Sequence, residues 1–212
     1  MRVLFLGTSS GKPSKYRNVT SIAIIMEDAN YCLIDCGEAT QHQLMKTELK
    51  LSRLNSIFIT HLHGDHIFGL HGLLCTLNEI RKEPLTIYGP TGISDYVHFV
   101  RRNITNYKLL VNEYGDKSVP GIVSIIHQKN YSYSFEACEV EHCNDSFIRC
   151  FAYKIVRKRT NPKICISKIT DIINKHRTQL EDSGYVPAEK IISLLKKNTT
   201  IESPIKMNLS DF

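Results

Sequence analysis

The chain lacks any apolar run approaching the roughly 20 residues that a helix needs to cross a bilayer, so no membrane partner is expected. It also lacks a CxxC pair. Its seven cysteines, Cys32, Cys36, Cys75, Cys138, Cys143, Cys150 and Cys165, are odd in number. Cys32 and Cys36 fall in an apolar, strand-like run, where a free thiol behaves as a small hydrophobe, and the pattern favours a reducing compartment. No basic segment followed by a long apolar core and a small-residue cleavage site opens the sequence, and no Arg/Ser-rich presequence does either. Val3-Leu4-Phe5-Leu6 runs at once into a glycine turn. Internal repeats and low-complexity tracts are missing too. These absences lead to the expectation of a soluble, intracellular protein of the cytoplasm.

What is present is ordinary globular composition. With 212 residues, 42% hydrophobic and 23% charged, the chain can form one domain with a proper core, or a domain with an appendage. The net charge of +6 favours an acidic partner without requiring one.

Short apolar runs divided by turn residues fill the first half. Strands are expected at 2–6, 21–26, 31–34, 57–60 and 85–88, with Asp28-Ala29-Asn30 as a hairpin turn, and helices at 39–47, 69–80 and 93–102. Alternating strands and helices imply an α/β fold with mixed sheets. From Val123 the pattern turns to β, with strands expected at 124–127, 132–140 and 147–156. Beyond Val156 the composition changes to Lys, Asn, Thr and Ile around helical stretches at 169–180 and 188–197, with little room for a core. The division expected is a domain at 1–156 and a basic extension at 157–212.

The chemistry concentrates in His61-Leu62-His63-Gly64-Asp65-His66, directly after a buried strand. A lone histidine would read as a surface residue. Three histidines and an aspartate within six residues instead match what zinc takes: neutral imidazole nitrogens and carboxylate oxygens, four donors per ion. A turn there can point His61 and His63 at one ion, and Asp65 and His66 at a neighbour. Paired metals about 3.5–4 Å apart can clamp a phosphodiester.

The residues around that motif carry a resemblance. Phe5-Leu6-Gly7-Thr8-Ser9-Ser10-Gly11, then Pro13 and Arg17-Asn18-Val19-Thr20-Ser21, resembles the N-terminal loop of the ribonuclease Z family. Ile34-Asp35-Cys36-Gly37-Glu38-Ala39-Thr40-Gln41 resembles its DCGEGTQ motif. Phe58 to Leu70 resembles its metal motif, and Pro84 to Gly92 the strand and turn that follow. The resemblance implies an αββα metallo-β-lactamase-type sandwich and a zinc-dependent endoribonuclease that removes the 3′ trailer of precursor tRNA. It also implies two zinc ions and a homodimer in which one subunit's arm serves the other's active site.

Roles follow residue by residue. Asp65 would be a metal ligand and would handle the proton of the attacking water. Asp35 and Glu38 would orient the histidine ligands; the plainer reading makes them a strand-end acid and a helix N-terminal acid. Arg17 and Asn18 would touch the RNA backbone. His142, in Glu139-Val140-Glu141-His142 ahead of the strand Cys150 to Ile155, resembles the family's third motif and would complete the first zinc site. His127 competes for that place. His42, His98 and His176 fall on helical stretches, and His71 is given no role.

The family pattern continues with a bridging aspartate, a His-Glu pair and a last histidine ligand that have no match here; Asp211 lies in no such motif. The sequence is therefore expected to be C-terminally truncated and its sandwich incomplete in that half. The first site keeps His61, His63 and His142, and the second only Asp65 and His66. The stretch at 157–212, opened by Arg157, Lys158 and Arg159, falls where the family inserts an arm that grips tRNA, and its basic residues suit phosphate contacts. Competing readings are an impaired relative that binds tRNA or a partner chain without cutting, and a hydrolase of small phosphodiesters or esters.

Overall fold

In a computed structural model of the chain, residues 1–160 are described, apart from 103, 115–120 and 143–148. The features expected at 161–212, including both helical stretches, His176 and Asp211, lie outside the described residues.

Why the first strands read as continuous apolar runs becomes plain from their packing. Strand β2 (Ser21–Ile25) and strand β3 (Tyr31–Ile34) form a hairpin, and β4 (Leu54–Phe58) lies parallel beside β3. Successive side chains point to opposite faces. Ala23, Ile25, Tyr31, Leu33 and Ile57 enter one apolar cluster, while Ile24, Cys32, Ile34 and Phe58 enter another. Both faces are covered, so no polar alternation survives in the sequence.

These strands belong to a six-stranded mixed sheet of order β1-β2-β3-β4-β5-β6, with β1 at Arg2–Gly7, β5 at Leu85–Pro90 and β6 at Leu109–Tyr114. β1 to β3 are antiparallel and β3 to β6 parallel. Parallel neighbours need crossovers. These are supplied by α1 (Thr40–Met45), by α2 (Gly64–Ile67) with α3 (Leu70–Ile80), and by α4 (Ile93–Arg101). Leu70, Leu73, Leu74 and Leu77 of α3, with Val97 and Val100 of α4, bury their i, i+3/i+4 stripes in the first cluster. A second, antiparallel sheet, β7 (Ile122–His127), β8 (Tyr131–Val140) and β9 (Cys150–Arg159), contributes Tyr133 and Phe135 to the second cluster. The described layers are therefore helices, sheet and sheet, an α/β architecture of the expected sandwich type.

Phe58 joins the sheets. Its ring stacks on Tyr88 (centroids 4.8 Å) and on Phe135 (4.3 Å), and meets Tyr153 edge-on at 5.4 Å. The Tyr153 hydroxyl donates to the Ile59 carbonyl at 2.7 Å, and Phe151 N–H donates to the Thr60 carbonyl at 2.9 Å. The segment Phe58 to Thr60 is thus held from both sheets just before the histidine motif.

Most strand boundaries shift by a residue or two from the sequence expectation, and three differences are larger. β4 pairs over Leu54–Phe58, and Ile59 and Thr60 already leave the ladder. β6 has no counterpart in the sequence expectation, because Leu109–Tyr114 is an edge strand with Leu110, Asn112 and Glu113 exposed and no clear alternation. β9 extends through Arg157, Lys158 and Arg159, which pair with Tyr133, Ser132 and Tyr131. Among the described residues no helix is long and apolar enough to cross a membrane. Cys32 and Cys36 are buried free thiols, each pushed up to about 12 by burial, which fits packing rather than reactivity.

Candidate metal centre

Parallel sheets present their loops at the carboxyl ends of the strands, and ligands collect there. Asp35 directly follows β3, and His61 follows β4 after Ile59 and Thr60, so the two motifs meet at one edge. Asp35 adopts φ 61, a left-handed backbone unusual for a non-glycine residue, and its amide donates to Phe58 O (2.8 Å). The turn places a buried carboxylate, 2% exposed, behind the histidines. Close backbone approach follows: Cys36 N–H donates to His66 O (2.7 Å) and Gly69 N–H to Cys36 O (2.9 Å). A Cβ at Gly37 would collide with the backbone oxygen of Asp65, so glycine is required between the two motifs.

His61, His63 and His142 converge, with one ligand nitrogen from each lying within 4.8 Å of the others. His61 Nε2 faces His63 Nδ1 at 3.0 Å, and the His142 ring centroid lies 4.5 Å from that of His61 and 5.5 Å from that of His63. His142 follows the end of β8. Near the flanking strand ends, Arg149 forks onto the Glu139 carboxylate at 2.7 and 2.9 Å. Burial, then the neighbouring imidazoles of His66, His142 and His63, hold the His61 pKa down to about 4. A neutral imidazole is the form a metal takes. The donor set therefore fits a divalent ion that accepts imidazole nitrogen.

Asp65 and His66 form the adjoining pair, with His66 Nε2 3.4 Å from Asp65 Oδ2. Gly11 N–H donates to the same oxygen at 2.7 Å. Burial would raise the Asp65 pKa, but the Gly11 amide and the nearby His66 bring it below the usual carboxylate range. His66 Nδ1 lies 2.7 Å from Asp35 Oδ2; burial opposes its protonation, yet the hydrogen bond and charge of Asp35, with Asp65, raise its pKa overall. Thr60 completes the arrangement, its amide and hydroxyl both meeting the Asp35 carboxylate.

The remaining residues singled out in the sequence sit elsewhere. Glu38 is exposed, and its backbone carbonyl accepts from Asn18 Nδ2 at 2.7 Å. Arg17 is exposed in the loop whose Gly11 touches Asp65. Arg157 pairs with Glu27, and the guanidiniums of Arg157 and Arg159 lie 5.0 and 5.9 Å over the Tyr131 ring. His127, His42 and His98 are exposed, and His71 stacks on Tyr96 at 4.7 Å. Sequence reasoning missed Thr60 and Gly11. Thr60 reads as an ordinary strand-end residue, and only the turn of Asp35 brings its hydroxyl into the cluster.

Two differently named groups of known proteins match the chain. A family model described as "Anti-Pycsar protein Apyc1" matches residues 1–183. Ribonuclease Z of Listeria monocytogenes serotype 4a is 47% identical over 164 residues, covering 74% of this chain and 50% of that protein. Ribonuclease Z of Pediococcus pentosaceus is 36% identical over 217 residues, covering 100% of this chain and 64% of that protein. This chain thus spans about half the length of the first of these relatives. The crystal structure of human tRNase Z, short form, superposes with a TM-score of 0.60 at 24% identity, covering 92% of this chain and 87% of that one. The metallo-beta-lactamase fold protein YhfI of Bacillus subtilis gives 0.52 at 17% identity, covering 73% and 57%. The two superpositions speak to the fold.

Proposed function

The chain belongs to the metallo-β-lactamase-fold family described as Anti-Pycsar protein Apyc1 and is a homologue of ribonuclease Z, and from that premise we propose that it forms, or forms part of, a zinc-dependent endoribonuclease that removes the 3′ trailer of precursor tRNA. The observation that carries this reading is the convergence of His61, His63 and His142 beside the Asp65–His66 pair.

Zinc bound there would supply Lewis acidity toward water at neutral pH and charge neutralisation at a phosphodiester. The chain's own residues do the rest. His61, His63 and His142 would hold the first ion, and Asp65 and His66 would contribute to a second. Asp65, with one oxygen already fixed by the Gly11 amide, is the group that takes the proton of the attacking water. Asp35 keeps the histidine nitrogens aimed. Exposed Arg17, with Asn18 anchoring its loop to the Glu38 carbonyl, meets the phosphate backbone. The domain formed by the described residues carries this chemistry, and the basic stretch at 157–212, whose Arg157, Lys158 and Arg159 still pair within β9, meets the tRNA by phosphate contacts. A cytoplasmic homodimer, one subunit's extension serving the other's site, completes the reading.

The test pairs metal content by mass spectrometry with cleavage of a 3′-extended tRNA, for the wild type and His63→Ala. Bound zinc and cleavage lost in the variant support the proposal. Zinc-free protein that still binds tRNA identifies a binding relative instead. Hydrolysis of bis(p-nitrophenyl) phosphate with the tRNA left intact identifies a small-phosphodiester hydrolase.

A further inference from the structure

Thr60 precedes the histidine motif and belongs to no ligand set, yet its hydroxyl lies at the centre of the hydrogen bonds behind it. The Thr60 Oγ1 is 3.0 Å from both Asp35 oxygens, 2.9 Å from His61 Nδ1 and 3.4 Å from His66 Nδ1. Its own amide donates to Asp35 Oδ1 at 2.8 Å, which fixes the side chain's position against that carboxylate.

The donor inventory then leaves one arrangement. A hydroxyl has a single proton to donate and can accept with its lone pairs, while a carboxylate only accepts. The Thr60 proton must therefore go to Asp35. What remains at Oγ1 is an acceptor, and the close nitrogen opposite it is His61 Nδ1. That nitrogen must carry the proton, which leaves His61 Nε2 as a bare lone pair. Nε2 is the atom that faces His63 Nδ1 at 3.0 Å, inside the histidine cluster. His66 reaches the same result without a relay, because its Nδ1 meets Asp35 Oδ2 directly at 2.7 Å. One buried carboxylate thus sets two histidines, one through a hydroxyl.

We propose that Thr60 is a positioning residue that fixes the Nδ1–H form of His61, so that Nε2 is presented to a metal by a His61–Thr60–Asp35 relay. The backbone explains why a threonine can serve here: Phe151 N–H holds the Thr60 carbonyl at 2.9 Å and Tyr153 holds that of Ile59, so the hydroxyl is locked from the second sheet. The proposal rests on the metal-binding part of the functional reading and not on its substrate.

The experiment measures zinc affinity of the full chain by competition with a chromophoric chelator. Removing an outer partner of a ligand histidine typically costs about tenfold to a hundredfold in metal affinity, so Thr60→Val should lose that much and Thr60→Ser should stay within about threefold of the wild type. Equal affinity of Thr60→Val and wild type would overturn the relay, as would Thr60→Ser falling as far as Thr60→Val. A long-range proton–nitrogen NMR spectrum of the metal-free wild type reads the tautomer directly. A proton on His61 Nδ1 supports the inference and one on Nε2 overturns it, whether or not Thr60→Val folds. A wild type that binds no zinc would instead sink the metal reading above, while the spectrum still decides the relay.

Discussion

His66 Nδ1 sits 2.7 Å from the Asp35 carboxylate, across a strand-to-strand junction that spans 31 residues of sequence. That contact exists because β3 and β4 are parallel neighbours whose ends turn toward each other, and because Asp35 takes the left-handed conformation that aims its side chain into the junction. A carboxylate accepts at every lone pair; an amide brings two protons of its own. In Asp35→Asn, at most one oxygen can serve Thr60 and His66. Zinc affinity is expected to fall about tenfold to a hundredfold, and unfolding free energy by about 1–3 kcal/mol, because buried donors lose their acceptor. Chelator competition and urea unfolding measure the two effects; an Asn variant with unchanged zinc affinity would remove Asp35 from the site.

His142 and His127 give the sharpest test of the ligand set. Both lie at strand ends, β8 and β7, and sequence alone leaves them in competition. The fold brings His142 to His61 and His63 and leaves His127 exposed. His142→Ala should weaken zinc binding by more than the about hundredfold that loss of an outer partner costs. His127→Ala should bind zinc as the wild type does. The reverse ranking would move the third ligand to β7.

The metal-free protein should be sensitive to mild acid through His61. Burial, with the imidazoles of His66, His142 and His63, lowers its pKa from 6.5 to about 4. Between those values the unfolded chain takes up a proton that the folded chain refuses, so stability falls as pH drops through that window. His66 acts with the opposite sign. Its folded pKa is raised, so its contribution is complete below the unfolded value and is lost as pH rises through the folded one. His61→Gln should therefore flatten the acid decline between about pH 6.5 and about pH 4 without touching the alkaline side. Thermal melts in chelator across that range measure it; a decline of unchanged depth would assign the effect to other groups.

Much of this site is legible in the sequence alone, for a physical reason. Residue types that can bind metal are chemically distinctive, and the candidate ligands His61, His63, Asp65 and His66 are close in sequence, so the local pattern carries them. His142 is marked by its place between two strands in a family pattern. Thr60, Gly11 and Tyr153 are not legible, because each acts through one long-range hydrogen bond made by a residue type common in any strand or loop. Strands β2 to β4 show as apolar runs because both faces are buried. β6 does not, since an edge strand with outward Asn112 and Glu113 resembles a loop.

Phe58 supplies the last prediction, on the link between core and site. It is fully buried, stacked within 9° of the Phe135 ring plane from the second sheet and within 8° of Tyr88 from the first, with Tyr153 at its edge. Phe58→Ala removes the plate between the sheets and leaves a cavity, so unfolding free energy should drop by about 3–5 kcal/mol. Phe99, on α4 and 68% exposed, makes the control, and Phe99→Ala should change stability by no more than about 0.5 kcal/mol. Because Phe58 precedes Ile59 and Thr60, whose carbonyls are gripped by Tyr153 and Phe151, loosening it also loosens the segment that delivers His61. Zinc affinity of Phe58→Ala should therefore fall under conditions where the variant is still folded. A destabilised variant that keeps wild-type affinity would show that the histidine turn is held by β4 and α2 alone, without help from the second sheet.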